Sequence, residues 1–357
     1  MRARSAITAE TRLAASPVSP LSKDLSAFRR ALLRWYDRHH RDLPWRKTRD
    51  PYRIWLSEIM LQQTRVVAVL EHYRIFLERF SNVEGLAAAS EDEVLAAWSG
   101  LGYYRRARML HQCAKELVDK HGGRFPQSAQ ALQTLPGIGR YTAAAIASIG
   151  FAEPVAVVDA NVDRVVQRLA DQELTHQQVW QQAQSLLSAS RPGDFNQSMM
   201  ELGATICLPR DPKCPTCPVR KWCATQELRS RADKTRTMER RAPSPGGTRK
   251  STPTRQLKKE IWCVLSQRDG HVRLVQRPRK SSLMAGMWDL PLLEKPRTPA
   301  SAPWRTFRHS ITITDYTVRV RRCPAPGAKG RWIPVAEVSH LPITGLTRKI
   351  LKAAGII

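Results

Sequence analysis

The sequence predicts two regions of different class: a mainly α-helical one over residues 23–228 and a smaller α+β one over residues 257–357. Three observations carry that division. Apolar residues recur at helical spacing through most of the first region. A Leu-Pro-Gly-Ile-Gly turn, residues 135–139, ends one helix before the next begins, and glycine supplies the positive φ such a turn needs. Beyond a stretch rich in Arg, Ser and Pro, residues 229–256, the pattern switches to strand-like alternation. That stretch has too little apolar content to order itself and is expected as a disordered linker; residues 1–22 are expected as a disordered basic tail.

Charge sets the class of partner. The 357 residues carry 58 Lys and Arg against 31 Asp and Glu, a net charge of +27. An excess that large points to a polyanion. No apolar run approaches a membrane-spanning length, so no membrane partner is expected. Residues 1–22 lack the apolar segment of a secretory signal. Seven cysteines, four of them clustered, read as metal ligation in a reducing compartment rather than a disulfide framework.

Phe28, Leu32, Trp35 and Tyr36 mark the first helix, over 25–37. Arg41 to Arg46 is a turn rich in large planar groups. Asp50 before Pro51 starts the next helix, an acid at the cap and a proline in the first turn. Glu58 falls among its apolar residues: three and four positions away lie Ile54, Trp55, Leu61 and Gln62. Desolvation there favours the neutral acid, as a proton donor near neutral pH requires. The alternative is a flank glutamate that reaches solvent.

Helices over 66–80, 91–98 and 110–120 follow. Gly100-Leu101-Gly102-Tyr103-Tyr104 interrupts the last two, and Arg105, Arg106 and Arg108 come next. Aromatic groups beside a basic run suit a nucleic-acid backbone and a stacked base. At the glycine turn, the N–H groups from Gly137 to Gly139 are expected to face outward before an Ala-rich helix, a nest that suits a phosphate. An ordinary inter-helix turn is the alternative. Val155 to Val158 then lead to Asp159 and Asn161, either of which can cap the helix marked by Val162, Val165, Val166 and Leu169.

Helices over 179–187 and 195–204 precede Cys207, Cys214, Cys217 and Cys223, spaced C-x6-C-x2-C-x5-C. Four thiolates so spaced can close on one metal centre; spacing alone does not separate zinc from iron–sulfur. In the second region, strands are expected over 261–265, 272–276 and 311–320, with a closing helix over 346–357. The glycine and acidic helix of a magnesium-dependent pyrophosphohydrolase are missing, which makes that chemistry improbable.

The stretch from Leu135 to Arg164 resembles the helix-hairpin-helix of DNA glycosylases of the endonuclease III superfamily. From Trp35 to Cys223, and more weakly to the C-terminus, the chain resembles adenine DNA glycosylases of the MutY family. Ser-Glu-Ile-Met-Leu-Gln-Gln-Thr, residues 57–64, is the longest specific match. The resemblance implies a helix-hairpin-helix glycosylase fold with a 4Fe–4S loop held by the four clustered cysteines, and a Nudix-like C-terminal domain. It implies a monomeric, intracellular, DNA-associated enzyme that releases adenine mispaired with 8-oxoguanine or guanine in double-stranded DNA.

Residue by residue, the resemblance makes Glu58 the general acid and Asp159 the carboxylate that stabilises the oxocarbenium sugar. Asn161 orients the site, and Tyr141 takes the position that holds lysine in strand-cutting relatives. Arg41, Leu43, Trp45, Arg46, Thr64, Leu101, Tyr103 and Gln197 contact or shape the adenine site, and Gln63 wedges into the duplex. The family's Phe-Ser-His reader of 8-oxoguanine is expected to fall at Ile311-Thr312-Ile313, leaving only the Thr312 hydroxyl and weaker discrimination from guanine. The rival readings are a bifunctional lyase for oxidised pyrimidines and a non-catalytic iron–sulfur DNA-binding protein.

Overall fold

A computed structural model describes residues 24–226, 257–281, 283–293, 302–311, 313–323 and 330–357. The expected tail, the expected linker and Thr312 lie outside these residues. In chain order the helices are α1 (Leu25–His39), α2 (Pro51–Leu61), α3 (Val66–Arg79), α4 (Val83–Ala88), α5 (Glu91–Ala97), α6 (Arg105–His121), α7 (Ala129–Leu132), α8 (Arg140–Gly150), α9 (Ala160–Ala170), α10 (His176–Leu186), α11 (Pro192–Thr205) and α12 (Gly345–Ala353). The strands are β1 (Leu257–Leu265), β2 (Gln267–Arg268), β3 (His271–Gln276), β4 (Trp288–Asp289), β5 (Leu292–Leu293), β6 (Arg305–Ile311), β7 (Thr314–Arg322) and β8 (Arg331–Pro334).

Side-chain caps fix where many helices begin. Asp50 accepts the Tyr52 N–H at 2.9 Å with Pro51 in the first turn, as the sequence suggests for α2. Ser90 with Glu93 and Thr175 with Gln178 form reciprocal capping boxes for α5 and α10. Two elements depart from expectation. α6 begins at Arg105, not at residue 110, because Ala107 and Leu110 bury one face while the arginines occupy the others. The expected strand over 311–320 is two strands: β6 and β7 pair antiparallel with Ile311 opposite Thr314, so the chain reverses after Ile311. No Gly, Asn or Asp marks that reversal in the sequence.

The chain divides into two compact units, Met1–Arg41 with Pro154–Ala242, and Asp42–Glu153 with Pro243–Ile357. Helices α1 and α9–α11 fall in the first unit, and α2–α8 with α12 in the second. The first unit is helical. Phe28 of α1 packs on Phe195 of α11 and edge-on against Trp222, and Arg29 donates to the Leu186 and Ser185 carbonyls that end α10. Val155 to Val158 form no strand, and the N–H groups of Ala156 and Val157 are taken by the side chains of Gln184 and Asn196.

In the second unit α2 packs on α8, whose alanines Ala143, Ala144, Ala145 and Ala147 are all buried. Such small side chains let two backbones approach closely. The helix before the glycine turn is only the four-residue α7. The β-rich part holds a mixed sheet in the order β5-β1-β7-β6, with β1 parallel to β7, and a second sheet in which β3 pairs β2, β4 and β8. Cys263, Leu265, Val272, Leu274, Val318 and Val320 pack with Ile350 and Leu351 of α12 to form its core. Ser99, after α5, donates to the Ile343 carbonyl at 2.7 Å and accepts from Arg348 Nε at 3.1 Å. These bonds fix the β-rich part onto the helices of its own unit.

Candidate active site

Helix α2 buries Glu58 to 6% exposure, with Ile54, Trp55 and Ile59 buried around it. From α8, the half-buried Tyr141 donates its hydroxyl to Glu58 Oε2 at 2.5 Å. The carboxyl is thus withdrawn from water and hydrogen-bonded within the protein.

Asp159 is the N-cap of α9. Its Oδ1 accepts the N–H groups of Asn161 and Val162 at 2.9 and 2.7 Å, and its Oδ2 accepts Asn161 Nδ2 at 2.8 Å. Three donors at the helix N-terminus thus hold the carboxyl group in a fixed orientation. Asn161 Oδ1 in turn accepts from Arg164, which also donates to the Cys207 and Gly203 carbonyls. Gly203 has no room for a side chain: a methyl there would stand 2.5 Å from Asn161 Cβ and 2.9 Å from its carbonyl oxygen. Gly203→Ala must therefore displace the start of α9, and a loss of about 1–3 kcal/mol in chemical denaturation is expected; an unchanged midpoint would show that α9 is not held there.

The four clustered cysteines lie in the same unit as α9. Arg168 of α9 donates to Cys207 Sγ at 3.3 Å, and Cys223 Sγ donates to the Arg168 carbonyl. Burial raises the Cys217 thiol to about 11, and the nearby Cys207, Cys223 and Cys214 add to the shift. All four are free of disulfides. Among the described residues no three His, Cys, Asp or Glu side chains converge to hold a single metal ion. Four partly buried thiols free of disulfides are nevertheless a donor set chemically suited to a larger metal–sulfur group, whose ligands stand farther apart than those of one ion.

A cavity of about 810 Å³ opens in the second unit. Its wall includes Gln62, Gln63, Leu101, Tyr103 and Arg106 from the helical part, and His309, Ser310 and Ile311 from β6. Gln63 and Tyr103 are both exposed and both left-handed, with φ of 56° and 48°. For residues with a side chain this conformation costs roughly 1–3 kcal/mol and persists only where neighbours impose it. Gly137, with φ of 75°, also reaches this wall. Gly137 and Gly139 are exposed; the Ile138 N–H between them donates to the Leu135 carbonyl, so the turn does not present three consecutive outward N–H groups.

The remaining predicted residues are distributed as follows. Arg41 is tied to Glu201 of α11, which is fully buried. Leu43 and Trp45 are buried, Trp45 edge-on to Tyr73, with Arg46 half-buried beside them. Thr64 accepts from Arg106, and Gln197 is buried in α11.

The basic run does not act as one patch. Arg106 turns inward, and Arg108 pairs with Glu91 and donates to the Ala285 carbonyl. His309 was not predicted. Burial, then Lys349, hold its imidazole below the ordinary histidine range, so the ring stays neutral with one donor and one acceptor. His309 lies two positions upstream of Ile311 on the same wall. Its signal in the sequence was a lone histidine within an alternating strand.

A helical glycosylase scaffold with a glycine turn and an acid buried on a helix agrees with the family profile that matches residues 56–188, described as HhH-GPD superfamily base excision DNA repair protein. A solved thermostable thymine-DNA glycosylase superposes over 59% of this chain and all of its own, with a TM-score of 0.56 and 33% identity. The mouse protein named adenine DNA glycosylase is 41% identical over 405 residues, covering 92% of this chain and 78% of the mouse protein. Its rat counterpart is 40% identical over 328 residues, and the chain spans only 63% of that relative's length. The chain belongs to the adenine DNA glycosylase family.

Proposed function

We propose that this chain is a monofunctional, monomeric DNA glycosylase that hydrolyses the N-glycosidic bond of adenine mispaired with 8-oxoguanine or guanine in duplex DNA. The observation that carries the proposal is the buried Glu58 carboxyl in hydrogen bond with Tyr141. Adenine is a poor leaving group until its ring is protonated, and Glu58 supplies that proton once the nucleotide is flipped from the stack. Asp159, fixed in place by its cap, stabilises the positive charge that develops on the sugar, with Asn161 orienting it. Water then completes the hydrolysis. Tyr141 has no amine and so cannot itself form a Schiff base with the sugar.

Arg41, Leu43, Trp45, Arg46, Thr64, Leu101, Tyr103 and Gln197 are assigned to the adenine site, and Gln63 to the opened duplex. Gly137 and Gly139 are assigned to the phosphate backbone. Cys207, Cys214, Cys217 and Cys223 are assigned as ligands of a 4Fe–4S cluster, which when bound would tie down the loop bearing Arg210, Lys213, Arg220 and Lys221. Hydrolysis transfers no electrons, so the cluster's assigned role is structural. The C-terminal part is read as a Nudix-like module that has given up hydrolysis and faces the base opposite adenine with His309 and Ser310. Thr312 retains its assignment there from sequence alone. The enzyme is expected to be intracellular and DNA-associated.

The test is base release from duplexes carrying adenine opposite 8-oxoguanine, adenine opposite guanine, thymine glycol or uracil, each with and without alkali and with borohydride. Adenine release, strand scission only after alkali and no trapped adduct are expected. Scission without alkali, or a strong adduct, would move the chain to the bifunctional lyases.

A further inference from the structure

We infer that Arg106 is a positioning residue that presets two exposed side chains, Gln63 and Tyr103, for insertion into an opened duplex. The inference rests on the functional reading above and deepens it. Three observations support it.

The first is where the guanidinium spends its donors. Nη1 reaches the carbonyls of Ile59, Met60 and Gln62 at 2.7, 2.9 and 2.5 Å, while Nη2 reaches Thr64 Oγ1 at 3.0 Å and the Gly102 carbonyl at 3.4 Å. None of these partners is a carboxylate. A helix C-terminus leaves its last carbonyls without partners and carries the negative end of the dipole, which explains how a half-buried cation is tolerated there. Burial lowers its pKa to about 10, so it stays charged at neutral pH.

The second is reach. A simple helix cap would stop at the carbonyls of α2. This fork continues past them to Thr64, beyond the left-handed Gln63, and across to Gly102, beside the left-handed Tyr103. The cation also lies 5.4 Å from the ring centroids of both Trp98 and Tyr103. Trp98 is fully buried and donates its indole N–H to the same Gly102 carbonyl. One side chain thus fixes both loops to a rigid aromatic.

The third is the backbone. Glycine would take either positive φ without strain. Glutamine and tyrosine are kept there instead, exposed and on one cavity wall, with Tyr103 at 55% exposure. Side chains held in an unfavourable conformation and left largely exposed are placed for an external target.

The experiment is single-turnover adenine release by the full chain, with 2-aminopurine in the mispair to report unstacking. The variants are Arg106→Met, Gln63→Ala, Tyr103→Ala and each pair with Arg106→Met. Loss of alignment should slow Arg106→Met by about 10²-fold. The unstacking signal should fall with the rate, and adding Gln63→Ala or Tyr103→Ala should cost little more, because the residues act as one unit. If Arg106→Met does not fold, Arg106→Lys replaces it: the ammonium keeps the charge but cannot bridge both loops, and the same non-additivity is expected. Multiplicative effects, or normal unstacking with slow release, would overturn the inference. Failure of the wild-type chain to release adenine at all would instead overturn the functional reading.

Discussion

Glu58→Gln should slow single-turnover adenine release by roughly 10²–10⁴-fold, the usual contribution of a general acid. The substitution is nearly isosteric. The amide oxygen can still accept the Tyr141 hydroxyl, so the packing of α2 on α8 and the affinity for a mispaired duplex should survive. What is lost is the transferable proton alone. The informative measurement is therefore the pair: release rate in a gel assay and duplex affinity by anisotropy at fixed salt. Collapse of the rate with affinity retained assigns Glu58 to chemistry. A rate near wild type would remove it from the mechanism, and parallel loss of both would make it a binding residue. The same pair of measurements discriminates against a non-catalytic DNA-binding protein, for which neither acid is needed.

Glu58 could be picked out in advance because helical periodicity is a local property. A carboxylate spaced at three and four residues from Ile54, Trp55 and Leu61 has one place to point, and Asp50-Pro51 sets the phase. Asp159 was legible for the same reason, as a cap just ahead of a valine stripe. Arg106 was misread because composition describes a segment and not a direction: three arginines in four positions look like a surface, yet their side chains leave the helix at different angles, and only one meets the carbonyls of α2. The break between β6 and β7 was invisible because the sequence from Ile311 to Thr314 is β-branched throughout, with no residue suited to positive φ. His309 lay outside the expected strand over 311–320, so nothing in the sequence placed it on a cavity wall. Glu201 gave no signal pointing to Arg41, since a contact between residues so far apart in the chain is a property of the fold.

Arg41→Ala should destabilise the fold by about 3–5 kcal/mol, more than Glu201→Gln at about 1–2 kcal/mol, although both break the same ion pair. The asymmetry follows from exposure. Glu201 is fully buried, whereas the Arg41 side chain is 42% exposed. Glu201 accepts the Arg41 backbone N–H at 3.1 Å, Nε at 2.8 Å and Nη2 at 2.7 Å, and these bonds raise the Arg41 pKa above its ordinary value, so the guanidinium is firmly charged. Deleting Arg41's guanidinium takes away a cation hydrogen-bonded to a carboxylate with no access to water. Neutralising Glu201 leaves a guanidinium that water can partly solvate, so the deficit is smaller. Replacing both by Met should recover much of the larger loss, because the desolvation cost disappears with the charges. Urea denaturation of the three variants reads this directly as midpoints. Equal shifts for the two single variants, or a double variant no better than Arg41→Ala, would mean that solvent reaches Glu201 and that the pair is an ordinary surface bridge. If the order holds, Arg41 is held in place by an interaction too strong to exchange for a transient one, and whatever face it offers to a flipped nucleotide is set before DNA arrives.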